Sequence, residues 1–489
     1  MTVEPMTGRE VDAFRERGDA FTRDLMQEYY DHFAGLKETL EIERIYEEYE
    51  DLTTLETARS LEQAPTELWR FACEGFLGNL TRAHQARVAQ VETELKATVD
   101  GEEIPYRMLR VVTANEADRD RRERLDRERI RMLDEHLNPV YLQANAIDRE
   151  AVRRLDAPNY YELYKRFGFR LDELADECRA LLDETEKLWE REGDRLFRER
   201  LGLSLSEARP WDVGRLLRAP ELDQLYPSDG MVPALEATLG ELGIDLRSQA
   251  NVHLDLEVRP NKTPRAFCAP IDVPGKVMLV IQPIGGKDDW EALFHEAGHT
   301  EHYGSTSETL SMEGKRLGDM AVTEGWAMLM QHLVTEPAWL NRRLDVPRVA
   351  DLAHEGAVSL LFFVRRYAAK LLYEIEFFQA EDPARMRNRY AEILSDSLKL
   401  PIYPETYLDD IDGSFYVTGY LRSWAFEAQL REFLRSEFGN EWFARREAGD
   451  LLRELWSVGQ EPTADALLKD VTGARLEMAA VADRVREHL

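Results

Sequence analysis

Two histidines four residues apart with a glutamate between them, His295-Glu296-Ala297-Gly298-His299, are the residues of this chain best suited to do chemistry. On a helix, positions i and i+4 differ by about 40° in azimuth, so both imidazoles project from one side. Two imidazoles so placed can reach a single tetrahedral zinc ion at about 2.0–2.1 Å. Glu296 then addresses a water rather than the metal, the arrangement of metal-assisted hydrolysis. A catalytic zinc needs a third protein ligand and one position left open. A metzincin would place glycine three and histidine six residues past the second histidine, but His302 and Ser305 stand there. Glu324, in Val322-Thr323-Glu324-Gly325-Trp326-Ala327 and 25 residues after His299, is the favoured third ligand. Glu308 and Glu313 are rivals in a loop rich in Ser, Thr and Gly.

Several elements must cooperate to position these groups. Asp288 followed by Glu291 reads as a capping box opening a helix. Trp290, Leu293, Phe294 and Ala297 follow the i, i+3, i+4, i+7 pattern of a core-facing stripe. Small Ala297 and Gly298 admit a neighbouring backbone, and Asp319 is placed to cap a second helix after the Gly314/Gly318 loop. Two such helices packed antiparallel would carry Glu324 to the metal. Upstream, residues 252–258 alternate apolar and polar, the mark of a half-buried strand. Residues 265–268 and 277–282 read as two more strands, joined through Val273-Pro274-Gly275-Lys276 by a type II turn. Residues 1–205 read almost entirely as helix, notably 11–40, 116–137 and 170–201. The charged 116–137 stretch reads as a solvent-facing helix laced with ion pairs. The expected organisation is an N-terminal helical domain, 1–205, and a catalytic domain, 206–489, with a small sheet at about 252–283.

Composition narrows the class. The 489 residues are 44% hydrophobic and 32% charged, enough to bury a sizeable core and too apolar for a disordered chain. Cys73, Cys178 and Cys268 are too scattered for a disulfide framework and suit a reducing cytoplasm; Cys268 reads as a small buried hydrophobe. A net charge of -31 argues against a phosphate backbone as partner. MTVEPMTGREVDAF lacks the basic and then apolar regions of a signal peptide. The longest apolar patch, residues 356–364, runs into Arg365 and Arg366 and is too short to span a bilayer. A cytoplasmic protein without nucleic-acid or membrane partners is expected.

His295-Glu296-Ala297-Gly298-His299-Thr300-Glu301-His302, with a glutamate 25 residues on, resembles the thimet oligopeptidase and oligoendopeptidase F family of zinc metallopeptidases. The preceding strand and Gly285-Gly286-Lys287-Asp288-Asp289 are also similar, so the likeness covers about residues 250–330, with a weaker echo near 400–425. The resemblance implies a mainly α, zincin-like helical clamshell with a deep channel and one small sheet beside the zinc-binding helix. It implies one Zn2+ per chain on His295, His299 and Glu324, Glu296 as general base, and short peptides as substrates. Phe415-Tyr416-Val417 and Tyr420 resemble the segment that supplies transition-state tyrosines, with Tyr420 the first choice as oxyanion donor and Tyr416 the second. Two departures stand out. Gly325-Trp326-Ala327 replaces the family's usual Pro-Ser step, and Asp409, Asp410 and Asp412 occupy the stretch where a histidine is expected. His302 is placed in a substrate cleft, behind the metal ligands or at the surface. A carboxypeptidase of related fold would need a cation for the free carboxylate, for which Arg422 and Arg265 are candidates. A catalytically weak, zinc-containing peptide-binding protein is the reading of a different class. An exposed strand edge beside the zinc helix would bind peptide by strand addition.

Overall fold

Long stretches of this chain place apolar residues every three or four positions, and the computed structural model, which describes residues 4–263, 265–344 and 346–489, is accordingly mainly helical. Among the described residues there are 20 α-helices and two small sheets. The first three residues of MTVEPMTGREVDAF lie outside the described residues. Among the described residues no helix is long and apolar enough to cross a membrane. The chain forms two compact units, each assembled from separate stretches. The first comprises Met1–Ala72, Glu221–Gly356 and Gly419–His488; the second comprises Cys73–Pro220, Ala357–Thr418 and Leu489. This division differs from a single cut near residue 205, because the N-terminal helix packs on a sheet strand some 240 residues later in sequence (Tyr30 with Ala269 and Ile271).

In the first unit a three-stranded sheet has the order β3-β5-β4, where β3 is Val252–Asp255, β4 is Phe267–Asp272 and β5 is Lys276–Val280. Central β5 runs parallel to β3 and antiparallel to β4. The β4–β5 connection is as expected, but Gly275 is not at positive φ, so the turn is not the expected type II. The expected strand over 252–258 stops at Asp255. The Asp255 carboxylate is the reason: it accepts from Arg259 at 2.9 Å, from Lys262 at 3.0 Å and from the Tyr30 hydroxyl at 3.2 Å. Lys262 also donates to the carbonyls of Asp255, Glu257 and Ile281. The chain doubles back to satisfy that buried carboxylate.

Among the described residues the second unit is helical apart from a hairpin, β1 (Lys96–Val99) and β2 (Glu102–Pro105), an element that the reading of 1–205 as almost entirely helix does not name. Its signal is Asp100-Gly101, both at positive φ, the favoured dipeptide for a two-residue hairpin loop. The charged stretch forms a helix over Arg119–Met132, capped by Asp118, and it is not solvent-facing all round. Arg122 is buried and pairs with buried Asp212 at 2.9 Å, while Arg127–Glu123 remains an exposed i,i+4 pair. The helix expected over 170–201 is Leu171–Leu201, ended by Gly202 in the left-handed region.

Candidate metal centre

The centre lies in the first unit, on two helices. The histidine helix, Lys287–Ser305, buries Trp290, Leu293, Phe294 and Ala297 as their spacing requires. It starts two residues earlier than a capping box at Asp288 allows, with Gly286 as N-cap. Asp289 instead accepts from the N–H groups of Ile284 (2.6 Å) and Gly285 (3.0 Å), and Glu291 pairs with Lys287 at 2.8 Å. The glutamate helix, Met320–Gln331, is capped by Asp319, whose side chain accepts from Ala321 N–H at 3.1 Å.

The two helices meet backbone to backbone. A Cβ on Gly298 would lie 2.5 Å from the Trp326 carbonyl oxygen and 2.6 Å from Ala327 Cα, so only glycine permits this approach. Gly325 makes the same allowance for the Phe426 ring, and Trp326 packs edge-on against Phe426 and Trp456. The Gly325-Trp326-Ala327 step is thus the packing face of the glutamate helix.

That contact brings His295, His299 and Glu324 together. The two Nε2 atoms are 3.2 Å apart, and Glu324 Oε2 lies 3.6 Å from His295 Nε2 and 3.9 Å from His299 Nε2. Tetrahedral zinc with ligand distances of about 2.0–2.1 Å sets its ligand atoms about 3.3–3.4 Å apart. Two imidazoles and one carboxylate at these separations suit zinc in both geometry and donor type. The rivals are elsewhere: Glu313 is held by Arg15 at 2.8 Å and Glu308 is exposed.

Neighbours aim the rings. His295 Nδ1 pairs with Gln331 Oε1 at 2.8 Å, and His299 Nδ1 with Thr323 Oγ1 at 2.9 Å. With Nδ1–H donating outward, Nε2 carries the lone pair that faces the third donor. Burial drives both imidazoles down to a pKa of about 4, with the neighbouring His299 adding to the effect on His295. Both are therefore neutral and able to coordinate at pH 7. Burial pushes Glu296 up to about 8; the Cys268 N–H, donating to its Oε2 at 2.8 Å, opposes the rise, and the charge of Glu324 adds to it. A divalent cation nearby would pull that value back down.

Tyr303, Thr323, Gln331 and Gln460 were not singled out from sequence. Tyr303 is one turn past His299 and stacks on it at 6.5 Å, with its hydroxyl accepting from Gln460 at 3.2 Å. Spacing would have flagged Tyr303 (i+4 from His299) and Gln331 (i+7 from Glu324). Nothing local marks Gln460.

Other expected residues are placed differently. His302 is 0% exposed, packed by Tyr303 and Trp326, and does not line an open cleft. Arg422 is held by Asp319 at 2.7 and 2.8 Å and by Asp465 at 2.5 Å, which makes it a brace for the glutamate helix and not a cation awaiting a substrate carboxylate. Tyr420 is half-buried in the first unit, its ring tilted against Trp424, while half-buried Tyr416 belongs to the second unit. In that unit the three aspartates are ion-pair partners: Asp409 of Arg110, Asp410 of Arg366, and Asp412 of Lys370. Arg265 is exposed, and Cys268 carries a free, half-buried thiol. The β4 edge is already engaged at Cys268 N–H by Glu296 and at the Pro270 and Ile271 carbonyls by Arg316. On β4, strand addition would be limited to the start of the strand.

Neither a family model nor a curated protein matches this chain.

Proposed function

We propose that this chain is a zinc-dependent metallopeptidase that hydrolyses short peptides. The observation that carries the reading is the convergence of two Nε2 atoms and one carboxylate oxygen, 3.2 to 3.9 Å apart, beside a glutamate that is not one of the three. His295, His299 and Glu324 would hold the ion. Zinc, when bound, supplies a Lewis acid that polarises a scissile carbonyl and lowers the pKa of water towards about 7. Glu296 takes the proton of the attacking water on a carboxylate oxygen and returns it to the nitrogen of the leaving amine. The Cys268 N–H fixes that carboxylate, and Gln331 and Thr323 fix the imidazoles. The Tyr420 hydroxyl is the proposed donor to the developing oxyanion. A zincin-like clamshell with a deep channel belongs to the same reading.

The carboxypeptidase alternative is weakened at one point, since Arg422 is already answered by two carboxylates. The test pairs metal content with turnover. Purified protein is expected to carry about one zinc per chain and to cleave members of a mixed short-peptide library, including peptides with amidated C-termini. Glu296→Gln is expected to lower kcat by about 10²–10⁴-fold with zinc content unchanged. Absence of tightly bound zinc, or cleavage indifferent to Glu296, defeats the proposal.

A further inference from the structure

The first unit also exposes an aromatic face that the metal centre does not use. Phe33, the last residue of the Gly8–Phe33 helix, is 42% exposed. Tyr29, one turn earlier, stacks on it with centroids 6.2 Å apart and planes at 23°. Phe267, the first residue of β4, meets it edge-on at 6.4 Å. Three rings from two elements thus form one apolar shelf.

Strand β4 relates this shelf to Glu296. Side chains alternate across a strand. Phe267 packs on the same side as Ala269 and Ile271, towards Tyr30 and Ala34 of the N-terminal helix. Cys268, between them, reaches Thr300 of the histidine helix with its thiol and donates its N–H to Glu296. A peptide lying along the start of the β4 edge alternates in step with the strand it joins. Side chains level with Cys268 point towards the histidine helix, and their immediate neighbours, level with Phe267, point towards the rings.

We infer that the Tyr29–Phe33–Phe267 shelf is a specificity subsite, selecting short peptides with an aromatic or bulky aliphatic side chain within about two residues of the cleaved bond. The inference rests on the metallopeptidase reading and narrows its substrate class. Ring edges and faces receive another aromatic ring by stacking or edge-on contact, and leave an alanine side chain with little to bury.

The experiment uses the full chain with its zinc and a set of end-blocked octapeptides in which Phe or Ala occupies each position in turn. At one position near the cleaved bond, the wild type is expected to favour Phe over Ala by about tenfold in kcat/KM. Phe33→Ala is expected to reduce that ratio to about twofold or less, Phe33→Tyr to keep it, and Phe363→Ala, an exposed ring of the second unit, to leave it unchanged. Binding of the same peptides to Glu296→Gln, followed by fluorescence anisotropy, is expected to show the same dependence on Phe33. Cleavage without a Phe preference, a preference that survives Phe33→Ala, or a Phe33-dependent preference for Lys or Arg overturns the inference and leaves the peptidase reading standing. Self-association of the wild type that disappears in Phe33→Ala assigns the shelf to a second copy of the chain and likewise overturns it. No cleavage and no binding of any peptide fails the peptidase reading, and the subsite with it.

Discussion

Two buried polar clusters, one in each unit, are built to opposite plans. In the second unit Lys370 lies 2.6 Å from Asp412 and 3.7 Å from Asp410, and Asp410 also receives Arg366 and, at 2.7 Å, the Tyr390 hydroxyl. Each of these aspartates meets a base. In the first unit the acceptors face one another: Nε2 of His295, Nε2 of His299 and Oε2 of Glu324, with both Nδ1 atoms turned onto neutral Gln331 and Thr323. Lone pairs gathered in this way are favoured when a cation shares them. Burial alone does not separate the two plans. It raises Glu374 of the second cluster well above the usual carboxylate range, just as it raises Glu296. What separates them is direction, since Glu374 accepts from the Asp412 N–H within a paired network whereas Glu296 stands beside converging donors.

The comparison breaks most visibly at His299. His299→Ala removes one of the two imidazoles, and zinc measured by mass spectrometry is expected to fall from about one per chain to background, with loss of peptide hydrolysis. Retention of zinc in this variant would move the metal elsewhere. The next largest effect belongs to the other cluster. Lys370→Met leaves Asp412 and Asp410 without their ammonium, and denaturant unfolding is expected to report a loss of about 3–5 kcal/mol. Zinc content per folded chain stays the same in this variant, because the paired cluster is scaffold. A Lys370→Met protein of wild-type stability that had lost zinc would reverse the roles assigned to the two regions.

The candidate metal centre was more legible in the sequence than the elements around it, and the reason is the range of the interactions. His295, Glu296 and His299 share one turn of helix, and the buried stripe of Trp290, Leu293, Phe294 and Ala297 depends on the same local period. Gly298 could be read as a site of close approach before Trp326 was known to be what approaches it. The capping box failed because the helix begins at Lys287 with Gly286 as its N-cap, which puts Asp288 inside the first turn and leaves Glu291 to pair with Lys287. The strand after Asp255 failed because Arg259 and Lys262 turn back to a buried carboxylate, a tertiary demand that alternation cannot reveal. Arg422 was misread for the same reason, its two acidic partners lying 103 and 43 residues away in sequence. The β1–β2 hairpin is a different kind of miss, since its signal, Asp100-Gly101, is local but lies between stretches of helical texture.

The smallest of these effects tests the finest distinction, between a histidine held by a neutral hydroxyl and one held by packing alone. Thr323 is buried on the glutamate helix, and its Oγ1 accepts from His299 Nδ1 at 2.9 Å. Valine preserves the β-branched shape and the helical χ1 preference, so Thr323→Val removes the acceptor together with the hydroxyl's hydrogen bond to Tyr303. The Nδ1–H is then left buried without its partner, the ring loses the contact that fixes its tautomer and orientation, and zinc binding should weaken by about 10–100-fold in chelator competition. Thr323→Ser restores an oxygen at the same place and should return affinity close to wild type. On the proposed reading, the Thr323→Val protein at saturating zinc should recover most of its kcat, because Glu296 is held independently by the Cys268 N–H. Equal zinc affinity in the valine and serine variants would mean that the stacked Tyr303 ring, not the hydroxyl, orients His299. Tyr303→Leu would then become the variant that loosens the metal.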